Sequence, residues 1–265
     1  MIARGILDIR AQAARHWGIY RLAALAPPML AHLAVTGAAS VAALVVVASV
    51  ALGWSFLFVE LRRRGPLWSG LVPALLLVLL APPEAALWQL ALALSLALVM
   101  GELIFGGAGF GFLSTGALAL AFLSFSFPGL VLVMPQSEVL WAALPGGGLL
   151  LLSGLAPWRV VLAGGAGFAG FAAMFWSLSP GLIGPMLFAL VFLAADPFGA
   201  PVTAPGHWIF GLLAGGLTAV LCGPALPGLD MGAVVFAVVL AGIFAPLIDA
   251  SVIAGDALRA RLRHG

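Results

Sequence analysis

The chain has 265 residues, of which 64% are hydrophobic and only 8% are charged, and its mean hydropathy is +1.22. A soluble domain is about 25% charged, so this composition excludes a soluble globular protein and indicates an all-α integral membrane protein. The formal net charge is +2, and all eleven basic residues are arginines. No nucleic-acid-binding patch, catalytic triad or metal-ligating cluster is recognisable, so no catalytic residue, no metal and no nucleic-acid partner is predicted.

Residues 1–21 form the first predicted element, a helix with mixed character. Ile2, Ile6, Ile9 and Trp17 recur at roughly helical spacing, and arginines are interspersed among them. This pattern favours an amphipathic helix on the anionic cytoplasmic surface of the lipid bilayer. The alternative is a helix packed on a partner subunit.

Long apolar runs follow and predict about ten transmembrane helices in a single membrane domain, residues 22–254. The predicted helices lie near residues 22–38, 40–61, 67–82, 85–104, 113–133, 139–154, 158–176, 180–195, 207–224 and 230–254. Whether 22–38 and 139–154 cross the bilayer completely is left open. Residues 255–265 form a basic tail.

The distribution of arginines predicts the orientation of these helices. They occur before residue 22, at 62–64, at 159 and at 259–263. In the ten-helix scheme every one of these positions lies on the same side, which the positive-inside rule makes the cytoplasm. We therefore expect a multi-pass protein of the bacterial inner membrane with both termini cytoplasmic.

Two polar, glycine-rich segments interrupt the apolar runs: FGGAGFGFLSTG at 105–116, the first break, and AADPFGAPVTAPG at 194–206, the second break. Irregular backbone at membrane depth persists only where protein or a cavity covers it. One break falls in each half of the chain, 22–133 and 139–254. Paired breaks at corresponding places predict two inverted five-helix repeats with a binding site at their interface.

One acidic residue lies in the second break, and another lies just before the first break. Asp196 is expected either to cap the turn that follows it or to bind a ligand or ion, as intramembrane acids often do. Thr203 could assist in either role through its hydroxyl group. Glu102 is expected to form a salt bridge with an arginine of 62–64.

The breaks and their surroundings resemble the NqrB/RnfD family, which contains the RnfD component of the Rnf electron-transport complex and the NqrB component of the sodium-pumping NADH:quinone reductase. The second half carries the Asp-Pro segment at Asp196 and the GIFAPLID run at 242–249. The first half carries the Pro-Pro turn at 82–83 and the G-G-x-G loop at 106–109. The resemblance extends over residues 60–254.

This resemblance implies a fold similar to urea and ammonium transporters and a place among the membrane subunits of a redox complex. It also implies electron transfer through a noncovalent flavin, FMN or riboflavin, or contact with a quinone, between the two breaks. Any enzymatic activity would be that of one component of a membrane oxidoreductase. The residues expected to contact the cofactor are Gly106, Gly107, Gly109, Ser114, Thr115, Asp196, Pro197 and Thr203.

The chain departs from the family pattern at two places. The family's N-x-x-N-P-A stretch is replaced by residues 111–116, which lack both asparagines. Leu144 stands where the family has a threonine esterified to FMN, and leucine has no hydroxyl group, so covalent FMN is not expected. The glycines at 146–148 either form a phosphate-binding nest or allow close helix packing.

These departures keep two other functions open. The repeat fold could serve as a flavin-free transporter or channel for a small solute. The chain could also act as a structural scaffold that docks other membrane subunits.

Overall fold

The structure is a computed structural model that describes residues 2–62, 68–107, 109–175, 180–223 and 229–264. These residues form ten α-helices and no strand. The helices are α1 (Ile2–Thr36), α2 (Ala38–Arg62), α3 (Leu71–Leu80), α4 (Leu87–Leu98), α5 (Thr115–Ser126), α6 (Ser137–Leu152), α7 (Trp158–Phe175), α8 (Ile183–Ala189), α9 (Ala204–Cys222) and α10 (Met231–His264). The all-helical fold predicted from the sequence is confirmed.

Two helices change their winding before they end. α4 continues as a π-helical turn over Val99–Leu103, and α8 continues as a π-helical turn over Leu190–Ala194. A short 3₁₀ turn, Pro180–Leu182, precedes α8. π-helical turns are rare and often lie at functional sites, and here each one leads directly into one of the breaks.

Several helix ends differ from the predicted ones for identifiable reasons. α5 ends at Ser126 rather than near residue 133, because Phe127 precedes Pro128 and adopts a non-helical conformation. α9 begins three residues earlier than predicted, since the Thr203 side chain accepts a hydrogen bond from the Gly206 N–H and caps the helix. The predicted surface helix and first span form one continuous helix, and α10 continues through the predicted tail.

Four segments are long and apolar enough to cross a membrane: Trp17–Thr36, Ala38–Glu60, Ala204–Cys222 and Met231–Leu262. The other apolar helices of the described chain are shorter. α3 is the extreme case, because its 10 residues span about 15 Å, half the thickness of the hydrocarbon layer. Eight of its residues are buried, so the surrounding protein covers this short helix.

Four helix pairs of the first half of the chain have counterparts in the second half. In the first half α2 packs on α4, α4 on α5, α1 on α3, and α2 on α3. The second half repeats these pairs as α7 on α9, α9 on α10, α6 on α8, and α7 on α8. Two further pairs join the halves through equivalent helices, α1 with α6 and α5 with α10. The chain is thus two similar five-helix units packed on each other.

The two breaks do not hold equivalent places in these units, contrary to the sequence-based expectation. The first break lies between α4 and α5, whereas the second lies between α8 and α9, the third and fourth helices of their unit. If the two units were inverted copies, breaks at equivalent places would lie at opposite ends of the helices. Their different places allow the two breaks to meet.

Candidate functional site

The two breaks are in direct backbone contact. A Cβ atom added to Gly199 would lie 2.6 Å from the Ser114 nitrogen, so no larger residue fits without displacing the other break. Gly242 of α10 faces the same junction, where an added Cβ would lie 2.9 Å from the Leu113 side chain. Glycine therefore lets both breaks and α10 converge at one point.

The first break turns through its glycines. Gly106, Gly107 and Gly109 have φ angles of 121°, 107° and 85°, a region that favours glycine. The Gly107 N–H donates to the Glu102 carbonyl oxygen at 3.0 Å and closes the end of the π-helical turn. The break then ends at Ser114, whose hydroxyl oxygen accepts from the Ala117 N–H at 3.5 Å and caps α5. Ser114, predicted as a cofactor contact, is thus used as a helix cap.

Asp196 in the second break has both carboxylate oxygens engaged. Oδ2 accepts a hydrogen bond from Nη2 of Arg21 in α1 at 2.9 Å, and the two side chains form a buried ion pair. Oδ1 accepts from the Phe198 N–H at 3.1 Å and caps the turn. The predicted capping role of Asp196 is confirmed, and the pairing with Arg21 is additional.

The N-terminal helix covers this ion pair. The Arg21 guanidinium group lies 5.6 Å from the centre of the Phe198 ring, and the Trp17 ring packs on the same phenylalanine at 5.9 Å. Cation–π contacts of this kind gain strength when they are desolvated. α1 is therefore fixed to the second break by charge and by aromatic packing.

Thr203 forms the far end of the second break together with Asp249 of α10. Asp249 Oδ2 accepts from the Val202 N–H at 2.8 Å, and Oδ1 accepts from the Thr203 N–H at 3.0 Å and from the Thr203 hydroxyl group. These charge-assisted bonds hold the break against α10. Thr203 was predicted as a site residue from the sequence, whereas its partner Asp249 was not.

We expect Asp249→Asn to loosen this end of the second break without unfolding the chain. An amide group offers one acceptor oxygen and places an N–H group opposite backbone donors, so at least one charge-assisted bond is lost. Amide hydrogen exchange at Val202 and Thr203 should accelerate about tenfold. Asp256→Asn is the matched control on the same helix, because the Asp256 side chain is 67% exposed. Equal protection of the two amides in both variants would contradict the assignment.

A small cavity lies between the breaks and α1. Its polar lining comes from five side chains: Arg21, Ser69, Glu102, Thr115 and Asp196. A second, smaller gap adjoins it at Arg21, Asp196 and Pro197. Of the eight predicted cofactor residues, only Thr115, Asp196 and Pro197 line these two spaces.

The size of this cavity decides what it can hold. Its volume is about 20 Å³, and the adjoining gap measures about 10 Å³. One water molecule needs roughly 10–15 Å³ on this measure, whereas pockets for drug-sized ligands measure about 300–1,000 Å³. The space between the breaks is therefore too small for an isoalloxazine ring in this structure, and the Arg21–Asp196 ion pair lines it.

Glu102 and Arg21 are the site residues that were not assigned to this position from the sequence. Glu102 was expected to pair with an arginine of 62–64, whose side chains lie outside the described part of the structure. In the described chain its charged neighbours are Arg21 and Asp196. The sequence contains one indication of this contact. A buried intramembrane acid needs a cationic partner, and Arg21 is the arginine next to the first apolar run.

Leu144 is distant from both breaks in the sequence, and it lines a different space from the cavity between them. It is 58% exposed and lines an apolar groove of about 540 Å³ between α6, α7 and α8. The neighbouring glycines 146–148 lie inside α6, where the backbone N–H groups form helical bonds rather than a nest. A Cβ added to Gly146 would lie 2.0 Å from the Ala24 oxygen of α1, which confirms the close-packing interpretation for this glycine.

Sequence comparison gives the fold and this geometry a family context. The sequence model of the NQR2, RnfD, RnfE family matches residues 11–137 and again residues 129–255. The two matched ranges correspond to the two five-helix units, α1–α5 and α6–α10.

Individual relatives carry a name from the same family. The chain is 27% identical over 80% of its length to NqrB, a subunit of the Na(+)-translocating NADH-quinone reductase, from Pseudomonas aeruginosa (strain LESB58). It is 28% identical, again over 80% of its length, to the NqrB of Stutzerimonas stutzeri (strain A1501). The chain spans 66% of the length of each of these relatives.

Helical composition, membrane-spanning segments and two packed units of five helices define a polytopic membrane protein built by repetition. The family model matches the chain twice, once over each unit, so the repeated unit is the one that this family shares. The chain belongs to the NQR2, RnfD, RnfE family.

Proposed function

We propose that this chain is an inner-membrane subunit of an electron-transport complex, in which it holds redox-active partner subunits together. The family match supports the redox setting, since the matched relatives are named as subunits of an NADH-quinone reductase. The observation that carries the scaffold role is the small size of the space between the breaks, a cavity of about 20 Å³ lined by the ion pair of Arg21 and Asp196. In this proposal the electron-transferring cofactors reside on the partners.

The five-helix units are inverted relative to each other in this proposal. An odd number of membrane-crossing helices reverses the direction of the second unit, as in transporters built from inverted repeats. The matching helix pairs in the two units support this arrangement. Two arginines support a common cytoplasmic side. Arg159 interacts with His207 beside the second break. Arg259 follows Asp249 along α10.

A noncovalent flavin or a quinone between the breaks is the second candidate function. The direct contact of the two breaks and the retained Asp-Pro pair at 196–197 favour it. It requires α1 to withdraw Arg21, since the cavity otherwise holds about one water molecule. When bound, a flavin would supply one- and two-electron redox chemistry, and the chain would orient it through the breaks.

Cofactor analysis of the purified protein separates these functions. The chain should be isolated from its native membrane with its partner subunits and then separated from them under mild conditions. We expect flavin absorbance and extractable flavin in the partner fractions and none in the separated chain. Stoichiometric FMN or riboflavin in the separated chain would support the second candidate and contradict the scaffold role.

Reconstitution of the separated chain in liposomes tests the transporter alternative. A scaffold produces no solute flux in the absence of redox partners. Saturable flux of a small neutral solute in these liposomes, absent from protein-free liposomes, would replace the scaffold proposal with transport.

A further inference from the structure

Glu102 is a buried acid that the proposed function does not use. It stands in the π-helical turn at the end of α4, and only 7% of the residue is exposed. Its Oε1 atom is buried and has no hydrogen-bond partner among the described residues. The side chain lines the cavity of about 20 Å³ between the breaks. Buried polar atoms are normally satisfied, so this oxygen points to a small ligand at this place.

The charges around the cavity do not balance when every acid is ionised. Arg21 supplies one positive charge, and its short contact of 2.9 Å goes to Asp196. The Asp196 carboxylate is further stabilised by the Phe198 N–H, which Glu102 does not share. Arg21 and Asp196 therefore form a neutral pair beside Glu102.

The other groups that face Glu102 in the described part of the chain are uncharged. Ser69, before α3, approaches its carboxyl group, and Thr115, at the start of α5, lines the same cavity. Arg62, Arg63 and Arg64 have side chains outside the described part of the chain, so the charge balance is taken over the described groups alone. Among them an ionised Glu102 would be a buried charge without an ion-pair partner, which is strongly unfavourable.

We propose that Glu102 is a proton-binding site, whose buried carboxyl group holds a proton beside the ion pair of Arg21 and Asp196. The proton comes from water and binds a carboxyl oxygen of Glu102, so that the cluster of three side chains becomes electrically neutral. The cavity has room for one water molecule, which can accept the acid O–H or donate to Oε1. This inference does not depend on the scaffold role, because it concerns the protonation of the chain itself.

Infrared spectroscopy of the purified full-length chain in lipid tests the proposal directly. A protonated carboxylic acid has a C=O stretching band that an ionised carboxylate lacks. We expect this band in the wild-type protein at pH 7 and its loss in Glu102→Gln, which has nearly the same shape and is neutral. Glu84→Gln is the matched control, because Glu84 is exposed in the turn between α3 and α4 and should leave the band unchanged.

Isotope labelling gives the same answer without any substitution. Carbon-13 in the glutamate side chains should move the band of the wild-type protein to lower wavenumber, whereas carbon-13 in the aspartate side chains should not. Glu60, Glu84 and Glu138 are all exposed, so a band that moves is assigned to Glu102. The proposal is overturned if the band is absent at pH 7, survives in Glu102→Gln, or moves only with aspartate labelling.

Discussion

Replacing Arg21 with methionine is expected to destabilise the folded chain by about 3–5 kcal/mol, the cost of breaking a buried ion pair from one side. Methionine fills much of the space of the arginine stem but leaves Asp196, which is 4% exposed, without its cation. The Asp196 carboxylate then keeps only the Phe198 N–H as a partner within the described residues. The expected readout is a lower thermal unfolding midpoint in detergent and a lower yield from the membrane.

The double variant Arg21→Met with Asp196→Asn isolates the ionic part of this effect. Asparagine can still accept the Phe198 N–H and carries no charge, so the double variant should be more stable than Arg21→Met alone. The matched control is Arg259→Met, because Arg259 is 79% exposed and lies 3.6 Å from an exposed aspartate. Surface pairs of this kind contribute about 0–1 kcal/mol. If Arg21→Met and Arg259→Met unfold at the same temperature, the ion pair does not hold α1 in place.

The same substitution has a consequence for the proposed function. Arg21 joins the N-terminal helix to the second break, and its removal enlarges the space beside Asp196 and Thr115. If the second candidate function holds, Arg21→Met should bind free riboflavin more tightly than the wild-type chain does, since no cation has to leave. If the scaffold proposal holds, neither protein binds it. Equilibrium dialysis with the folded fraction of each protein distinguishes these results.

The arrangement of helices could be predicted largely from the sequence, because membrane spans are local features. Each long apolar run became a helix, and both breaks were located by their glycines, prolines and polar residues. The errors lie at helix ends where one residue decides the outcome. Pro128 ends α5 early, and the Thr203 cap starts α9 early. Apolar periodicity does not report such single-residue effects.

The candidate site was less accessible to sequence reasoning because its contacts join distant segments. Arg21 and Asp196 are separated by 175 positions. A buried aspartate indicates that a cation must lie near it, but eleven arginines were available and local pattern does not select among them. Thr203 and Asp249 pose the same difficulty, since α10 must first pack beside the second break before the two can meet.

Resemblance to a family also has a limit that this site illustrates. It placed Thr115, Asp196 and Pro197 in one region, and all three line the two spaces between the breaks. It implied flavin contacts because relatives share the motifs, yet motifs describe backbone turns as well as ligands. In this chain the glycines with positive φ close the first break, and Ser114 and Thr203 cap helices. The motifs that this chain shares with the family thus preserve the contact between the two breaks. Arg21 determines the size of the cavity that is left between them.

Replacing Gly215 with alanine is expected to destabilise the second unit by about 3 kcal/mol, at the upper end of overpacking effects. A Cβ added to Gly215 of α9 would lie 2.0 Å from the Gly164 oxygen and 2.8 Å from the Phe168 nitrogen of α7. Both atoms belong to the backbone of a helix, so no side-chain rotation can relieve the contact. The two helices would have to move apart by more than 1 Å to reach 3.4 Å, where ordinary contact begins.

The close approach at Gly215 continues at neighbouring positions of the α7–α9 interface. A Cβ added to Gly211 would lie 2.6 Å from the Val160 oxygen, and one added to Gly167 would lie 2.7 Å from the Leu212 oxygen. Small residues allow membrane helices to gain van der Waals contact in the absence of a hydrophobic driving force. Separation at one glycine therefore weakens contacts along the length of both helices.

Gly165→Ala provides the matched control for Gly215→Ala. Gly165 lies on α7 beside the interface, and an added Cβ meets no atom within 4 Å. Alanine favours the helical state over glycine by up to about 1 kcal/mol, so this variant should be as stable as the wild-type chain or slightly more stable. Thermal unfolding of the two variants in the same lipid or detergent measures the difference. Equal midpoints would contradict a backbone contact between α7 and α9. A lowered midpoint for Gly215→Ala alone would show that glycine-mediated packing stabilises the second unit. The position of the second break would then depend on the same packing.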